Sequence, residues 1–258
     1  MNLELTGKNV LITGGSKGIG LACASAFIAE GARVALLSRS EANLAAARTA
    51  LGTALTVAAD LVDPAAAARA VERVEAELGP IDVLVNSAGA ARRTPPDELT
   101  PAAWRAAMDA KYFTYINTID PVVKRMAGRG RGVIVNIVGS GGKVAMPIHL
   151  PGGAANAALM LATVGLAQAY APKGVRVLAI NPGLTNTTRV DEGLRAEARL
   201  TGIHEAEARR RMVDRIPIGR LAEPEEIASV AVFAASARAS YLTGVVIGMD
   251  GASVPVVV

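Results

Sequence analysis

Thr13-Gly14-Gly15-Ser16-Lys17-Gly18-Ile19-Gly20 decides the fold, because it joins two readable elements. The run Asn9-Val10-Leu11-Ile12 before it reads as a short buried strand, and Leu21 to Ala29 after it as an alanine-rich helix. Glycine permits tight turns with positive φ, lets a backbone approach a ligand closely and lets a helix pack near a strand. The helix that follows aims its unpaired N–H groups and positive dipole end at whatever occupies the turn, which favours phosphate. A surface turn is the plain alternative for three glycines. Strand, turn and helix in register point instead to a dinucleotide, with Gly14, Ser16, Lys17, Gly18, Ile19 and Gly20 around it.

Outward from this turn, strand and helix patterns alternate. Strands are expected at Arg33–Ser38, Leu55–Ala59, Ile81–Val85, Gly132–Val138, Val175–Ile180 and Val245–Gly248. Helices are expected at Glu41–Leu51, from Asp63-Pro64 to Leu78, and from Thr100-Pro101 through Ala102–Met126. Further helices are read at Ala154–Ala171, at Arg189–Arg215 with a break at Gly202, and after Glu223-Pro224. In Asp63-Pro64 and Thr100-Pro101 the first residue caps and the proline suits the first turn. The alternation implies an α/β fold: a single-domain, Rossmann-like, doubly wound parallel sheet with helices on both faces, residues 1–258 forming one domain. No linker, repeat or low-complexity segment interrupts it. Ligands of such sheets bind beyond the C-terminal strand ends.

Composition narrows the class. Hydrophobic residues make up 51% and aromatics 3%, so the core must be built mainly from Ala, Val, Leu and Ile. A net charge of +4 suits an anionic cofactor but forms no basic stripe, so nucleic acid is not expected as a partner. Cys23 is the only cysteine and reads as a small core residue. The N-terminus lacks the pattern of a secretory signal, and a cytoplasmic location is expected. No metal site is read. From Val144 to Pro172 there is no Asp, Glu, Lys or Arg, and Ala154 to Ala171 approaches membrane-spanning length. Its alanines, with Asn156, Thr163, Gly165 and Gln168, argue against an anchor and for a helix buried in the fold or against a second subunit. A homodimer or homotetramer follows as the expectation.

Several strips together resemble the short-chain dehydrogenase/reductase family over nearly the whole chain. They are Thr13-Gly14 with Gly18 and Gly20, Asp60, Asn86-Ser87-Ala88-Gly89, Asn181-Pro182-Gly183 with Thr187, and Tyr241-Leu242-Thr243-Gly244 to Asp250-Gly251. The resemblance implies a nicotinamide cofactor. It sets Asp60, with Leu61 beside it, at the adenine, and Asn86, Ala88 and Gly89 behind the cofactor. Pro182, Gly183, Thr185 and Thr187 then belong to the strip that meets the carboxamide.

Charge selects between the two coenzymes. NAD sites usually place a carboxylate against the adenine ribose. Here the second strand ends Leu37-Ser38-Arg39 without an acid, and Lys17 lies inside the glycine turn. Lys17 and Arg39 could pair with the extra phosphate of NADP, so NADP(H) is favoured over NAD(H). The family resemblance agrees. Two solvated surface cations are the alternative.

At the catalytic positions the sequence departs from the family, whose members carry Asn, Ser and a Tyr-x-x-x-Lys pair. By the resemblance these places fall on Lys111, Gly139 (Ser140 is next), Gly152 and Asn156. Lys111 is one candidate replacement. Partial burial beside a cationic nicotinamide would lower its pKa, so that it could give a proton or steady an oxyanion. His149, three residues before Gly152, is a second, because imidazole titrates in the useful range. Ser140 and Lys143 could bind a substrate hydroxyl or anion. The alternatives are a solvated Lys111, a structural His149, a surface Lys143 and a Ser140 that only caps its turn.

Two function classes remain open at this point. One is an NADP(H)-dependent oxidoreductase moving hydride to or from a small carbonyl or related substrate with atypical proton donors. The other is a catalytically inactive dinucleotide-binding sensor or partner subunit.

Overall fold

The computed structural model describes residues 1–89 and 92–256, without the side chains at 189, 192, 196, 197, 199 and 200, which include Arg189 and Glu197 of the charged segment. The first strand, β1 (Asn9–Thr13), is buried along its whole length and passes through the glycine turn into α1 (Gly18–Ala29). Then come β2 (Arg33–Ser38), α2 (Glu41–Leu51), β3 (Leu55–Ala58), α3 (Pro64–Leu78) and β4 (Val83–Asn86). The caps read from sequence are made. Asp63 Oδ1 accepts from Ala65 N at 2.9 Å, and Thr100 Oγ1 accepts from Ala103 N at 3.2 Å, satisfying N–H groups that a helix start leaves unpaired.

Beyond β4 lie α4 (Pro101–Ala107), a π-helical turn at Met108–Phe113 and α5 (Thr114–Arg129). The uninterrupted helix expected over Ala102–Met126 is therefore corrected: it contains a π turn and runs on to Arg129. The second half contributes β5 (Gly132–Ile137), α6 (Leu150–Tyr170), β6 (Val175–Pro182), α7 (Thr188–Thr201), α8 (Glu205–Val213), α9 (Pro224–Ala235) and β7 (Val246–Met249). Gly202 ends α7 at φ +68°, so the break expected there is present.

All seven strands are parallel, in the order β3-β2-β1-β4-β5-β6-β7. The winding reverses between β1 and β4, which opens a crevice at their C-terminal ends. Alternate strand residues feed opposite faces. Val10 and Ile12 pack with α1, α2 and α9, whereas Leu11 and Leu84 pack with α3, α5 and α6. A smaller cluster of Leu194, Ala198, Ala208, Met212, Ile216 and Leu221 holds α7 to α8. Cys23 lies in the first core, where burial pushes its thiol up to about 12 and keeps it protonated.

Two charged clusters pin the layers. Burial alone would raise the Glu75 pKa, but the Ile81 N–H, Arg125 and Arg129 outweigh it and hold the carboxyl below its ordinary range, tying α3 to α5. On the other face Arg176 donates to the carbonyls of Ala234, Ala235, Ser236 and Leu242, capping the C-terminal end of α9. Burial lowers its pKa.

The uncharged helix opens at Leu150, earlier than Ala154, with Pro151 in its first turn, and only one side of it is buried. Ala155, Asn156, Leu159, Thr163 and Ala167 face the protein, while Ala154, Ala157, Val164, Gly165, Gln168 and Leu161 (76% exposed) do not. By length and hydropathy alone it could cross a membrane. One side is nevertheless spent on the sheet.

Candidate functional site

Backbone geometry builds the first half of the site. Gly14 has φ +65°, and a Cβ there would stand 2.7 Å from Ala88 Cα, so the turn presses on the Asn86–Gly89 strip. Gly89 has φ +92°, and a Cβ would stand 2.1 Å from the Ala110 carbonyl of the π turn. At Gly20 a Cβ would meet Gly14 O at 2.3 Å, so the helix begins hard against the turn. No side chain caps α1; its N-cap is Lys17, exposed and extended. The first N–H groups of the helix, Gly18 to Gly20 among them, are left to face the crevice with Ile19 beside them. A dinucleotide pyrophosphate fits this cradle. Ser16 Oγ donates to Ser38 Oγ at 3.0 Å, joining the turn to the end of β2, with Arg39 exposed just beyond.

Asp60 is exposed, and its Oδ1 accepts from Val62 N at 3.1 Å. The Leu61 side chain turns into the core at 3% exposure, so only its main chain is available to a ligand. On the far side of the crevice, Gly183 N donates to Met249 O at 2.9 Å, holding the strip after Pro182 against β7. Thr185 is buried and bridges to Ala222. Thr187 starts α7, and its Cγ2 lies 3.4 Å from where Gly18 would carry a Cβ. The residues named for the cofactor stand at the ends of β1, β2, β3, β4 and β6 or on the connections that follow them, at the C-terminal side of the sheet.

A polar ladder floors it. Thr13, Asn86 and Asn136 stand abreast on β1, β4 and β5. Thr13 Oγ1 donates to Asn86 Oδ1 at 3.2 Å, Asn86 Nδ2 to Asn136 Oδ1 at 3.0 Å, and Asn136 Nδ2 to Thr163 Oγ1 on α6 at 3.0 Å. Thr163 in turn donates to Leu159 O. Thr13 Oγ1 also accepts from Ser87 N and Ala88 N.

The second half depends on side chains. Lys111 sits in the π turn at 8% exposure, so the solvated alternative is excluded. Its Nζ donates to Tyr115 Oη at 2.9 Å and to Ile137 O at 3.1 Å, and Tyr115 Oη donates to the same carbonyl at 2.5 Å. After β5, Gly139 N donates to Asn181 Oδ1 at 2.9 Å, and Ser140 opens a short 3-10 turn whose carbonyl accepts from Lys143 N. His149 ends another 3-10 turn and precedes α6. A Cβ on Gly152 would lie 2.2 Å from His149 Cε1 and 2.4 Å from Nε2, so the imidazole fills the volume that a side chain at 152 would take. Asn156, one helical turn on, is buried with its Nδ2 3.1 Å from where Gly139 would carry a Cβ, and it makes no side-chain hydrogen bond among the described residues. His149, Gly153 and Asn156 therefore meet the Gly139–Gly142 turn, while Lys111 reaches the strand that delivers it.

The sequence profile of the short chain dehydrogenase family matches residues 8–198, about three quarters of the chain. The protein belongs to the short chain dehydrogenase family. Acetoacetyl-CoA reductase from Shinella zoogloeoides is 36% identical over 241 residues, 93% of this chain and 96% of its own. Galactitol 2-dehydrogenase (L-tagatose-forming) from Cereibacter sphaeroides is 35% identical over 252 residues, 96% and 95% of the two chains. Among solved structures, L-sorbose reductase from Gluconobacter frateurii, complexed with NADPH and L-sorbose, superposes at TM-score 0.94 with 30% identity over 100% of both chains. An NADPH-bound short chain oxidoreductase from Pseudomonas aeruginosa PAO1, described as containing an atypical catalytic center, superposes at 0.86 with 30% identity over 95% of both chains.

In this short chain dehydrogenase the charged segment after Thr187 forms α7 and α8. Arg209 reaches Asn186 Oδ1 at 3.1 Å, and Asn186 Nδ2 reaches Glu223, so α8 is tied to the start of α9. Arg211 pairs with Glu207 four residues away, the solvated-face pattern its spacing implies. Among the described residues no group of three or more His, Cys, Asp or Glu is placed to hold a metal. Sequence reasoning missed Tyr115 and Thr163. The Lys111–Tyr115 spacing of four, which stacks residues on one helix face, was the available signal for the first.

Proposed function

We propose that this protein is an NADP(H)-dependent oxidoreductase acting on a small carbonyl or related substrate with atypical proton donors. The observation that carries this is the His149 ring seated in the space left by Gly152, next to an intact dinucleotide cradle. On the family pattern the tyrosine, lysine and serine places hold Gly152, Asn156 and Gly139.

The Gly14–Gly20 turn and the start of α1 would receive the pyrophosphate. Asp60 and the Leu61 main chain would meet the adenine, with Asn86, Ala88 and Gly89 behind the cofactor. Pro182, Gly183, Thr185 and Thr187 would orient the carboxamide end. Asn156, at the lysine place, is buried with its amide beside the Gly139–Gly142 turn. Exposed Lys17 and Arg39, with no acid at the end of β2, support the 2′-phosphate of NADP. The NADPH held by the sorbose reductase and the Pseudomonas oxidoreductase agrees with that choice.

When bound, a reduced nicotinamide would supply a hydride to the carbonyl carbon, leaving an alkoxide oxygen for the protein to meet. This chain must supply the proton that turns the alkoxide into an alcohol. His149 and Lys111 are the two groups offered for that, each recharged from water, while Ser140 binds the substrate oxygen. A positioned acid of this kind is worth about 10²–10⁴-fold.

The exposed stripe of Leu161, Val164 and small residues on α6 supports a homodimer or homotetramer. One domain over residues 1–258, a cytoplasmic location, and no nucleic-acid or membrane partner complete the reading.

NADPH absorbance followed with purified protein over a panel of carbonyl and conjugated-alkene compounds tests it. Oxidation by any compound supports the enzyme. Tight NADPH binding with no turnover across the panel selects the second reading, an inactive sensor or partner subunit, which the replaced Tyr and Lys places favour. Arg39→Glu should cut the preference for NADPH over NADH about tenfold, through loss of a charge-assisted pair.

A further inference from the structure

Lys111 has a partner that the family resemblance does not assign. Tyr115 lies four residues on, fully buried, across the junction between the π turn and α5. A phenylalanine would fill the same core volume; a buried phenol must also pair its hydroxyl. It spends the O–H on Ile137 O at 2.5 Å and presents its oxygen to Lys111 Nζ at 2.9 Å. The lysine head also reaches Ile137 O at 3.1 Å and stands 4.6 Å from the centre of the phenol ring. Three polar atoms thus form a closed triangle on a ring face. Ile137 ends β5, two residues before Gly139 and three before Ser140, so the triangle ties the lysine to the strand that delivers the catalytic turn.

We propose that Tyr115 is a positioning residue, whose phenol holds the Lys111 head at the end of β5 and favours its protonated form. The proposal rests on the reading of Lys111 as a proton donor. A flexible lysine carries rotamer entropy, which a fixed acceptor pair and an aromatic face remove in advance. An acceptor facing Nζ favours the ammonium, against the burial that disfavours it. On the elements packed against this turn the other ionisable groups nearest in the chain are Arg105 on α4, Asp109 and Tyr112 on the turn itself, and His149 at the head of α6. The charged residues of α5 begin at Asp120, beyond Tyr115.

The test reads Lys111 directly, in protein without cofactor. With ¹³C-labelled lysine, the side-chain methylene signal assigned by Lys111→Met is followed against pH in wild type and in Tyr115→Phe. The midpoint should fall by about one pH unit in Tyr115→Phe, the worth of one hydrogen bond to a charged group. Circular dichroism and NADPH affinity should hold within about twofold, since volume and ring face are kept. An unchanged midpoint in the folded variant overturns the proposal. If Tyr115→Phe does not fold, wild type carrying 3-fluorotyrosine at its four tyrosines gives the same reading, because a weaker acceptor must lower the midpoint and no change overturns the idea. For any compound turned over, the alkaline limb of the pH–rate profile should move to lower pH with the midpoint. A moved midpoint with a fixed limb leaves Tyr115 as the lysine's clamp and removes Lys111 from proton donation. The two readings therefore fail separately.

Discussion

The two banks of the crevice are made by different means. On the cofactor bank the shape comes from what is missing: Gly14, Gly20 and Gly89 stand where any Cβ would collide with backbone. On the bank proposed for catalysis it comes from what is present: an imidazole before α6, an amine in the π turn and a phenol at the start of α5. A backbone-built site tolerates little exchange, since its atoms are shared with the fold. A side-chain site can exchange its chemistry without disturbing the strands beneath.

This contrast can be broken most sharply from the glycine side. Gly20→Ala forces a methyl to 2.3 Å from Gly14 O, so NADPH affinity by fluorescence titration should fall about 10–100-fold, the cost of overpacking. Next come the side chains. Lys111→Met and His149→Ala should each lower turnover by about 10²-fold, or more for the true acid, with NADPH affinity nearly unchanged. If affinity collapsed with turnover, the two banks would not be separable.

A double-mutant cycle sharpens the seat of the imidazole. Gly152→Ala must displace the His149 ring, and turnover should fall by roughly the factor seen for His149→Ala. Adding Gly152→Ala to His149→Ala should then cost little more. Independent, additive losses would show that the ring's place at 152 has no bearing on rate.

The smallest effect concerns the scaffold under both banks. Arg220 forks onto Glu226 at 2.6 and 2.8 Å, and this bond, with the Glu223 N–H, lowers the Glu226 carboxyl from 4.5 to about 2. A depressed carboxyl contributes stability that is full above about pH 4.5 and is lost as pH falls towards about 2. The melting temperature of Glu226→Gln should accordingly approach that of wild type as the solution is acidified through this window. The pair is solvent-exposed, so the gap at neutral pH should be small.

The strand, glycine turn and helix of the first bank were legible in the sequence because their signals are local. A glycine spacing, a strand before it and a helix after it are all contained in Asn9–Ala29. The caps at Asp63 and Thr100 were legible for the same reason. The π turn was not, since its Ala110 carbonyl lies against Gly89, in the loop after β4, where a Cβ would leave it no room. The opening of α6 was legible at Gly152-Gly153, but its start two residues earlier, at Leu150, was not. That helix was read as a core helix with one side for a second subunit, and its core side is the one the fold shows, with Leu159, Thr163 and Ala167 buried. Lys111, His149 and Gly152 could be nominated from position, but Tyr115 beside the lysine and the seat of the imidazole at Gly152 came only with the fold.

The chain of hydroxyls and amides from Thr13 to Thr163 carries a last consequence. Each member both gives and receives, so shortening any one strands its neighbours without water to replace it. Three strands and a helix are thereby locked in phase, like teeth on one rack. An engineer who wishes to graft new proton chemistry onto this protein can rewrite the residues above that rack freely, but must leave its four teeth alone.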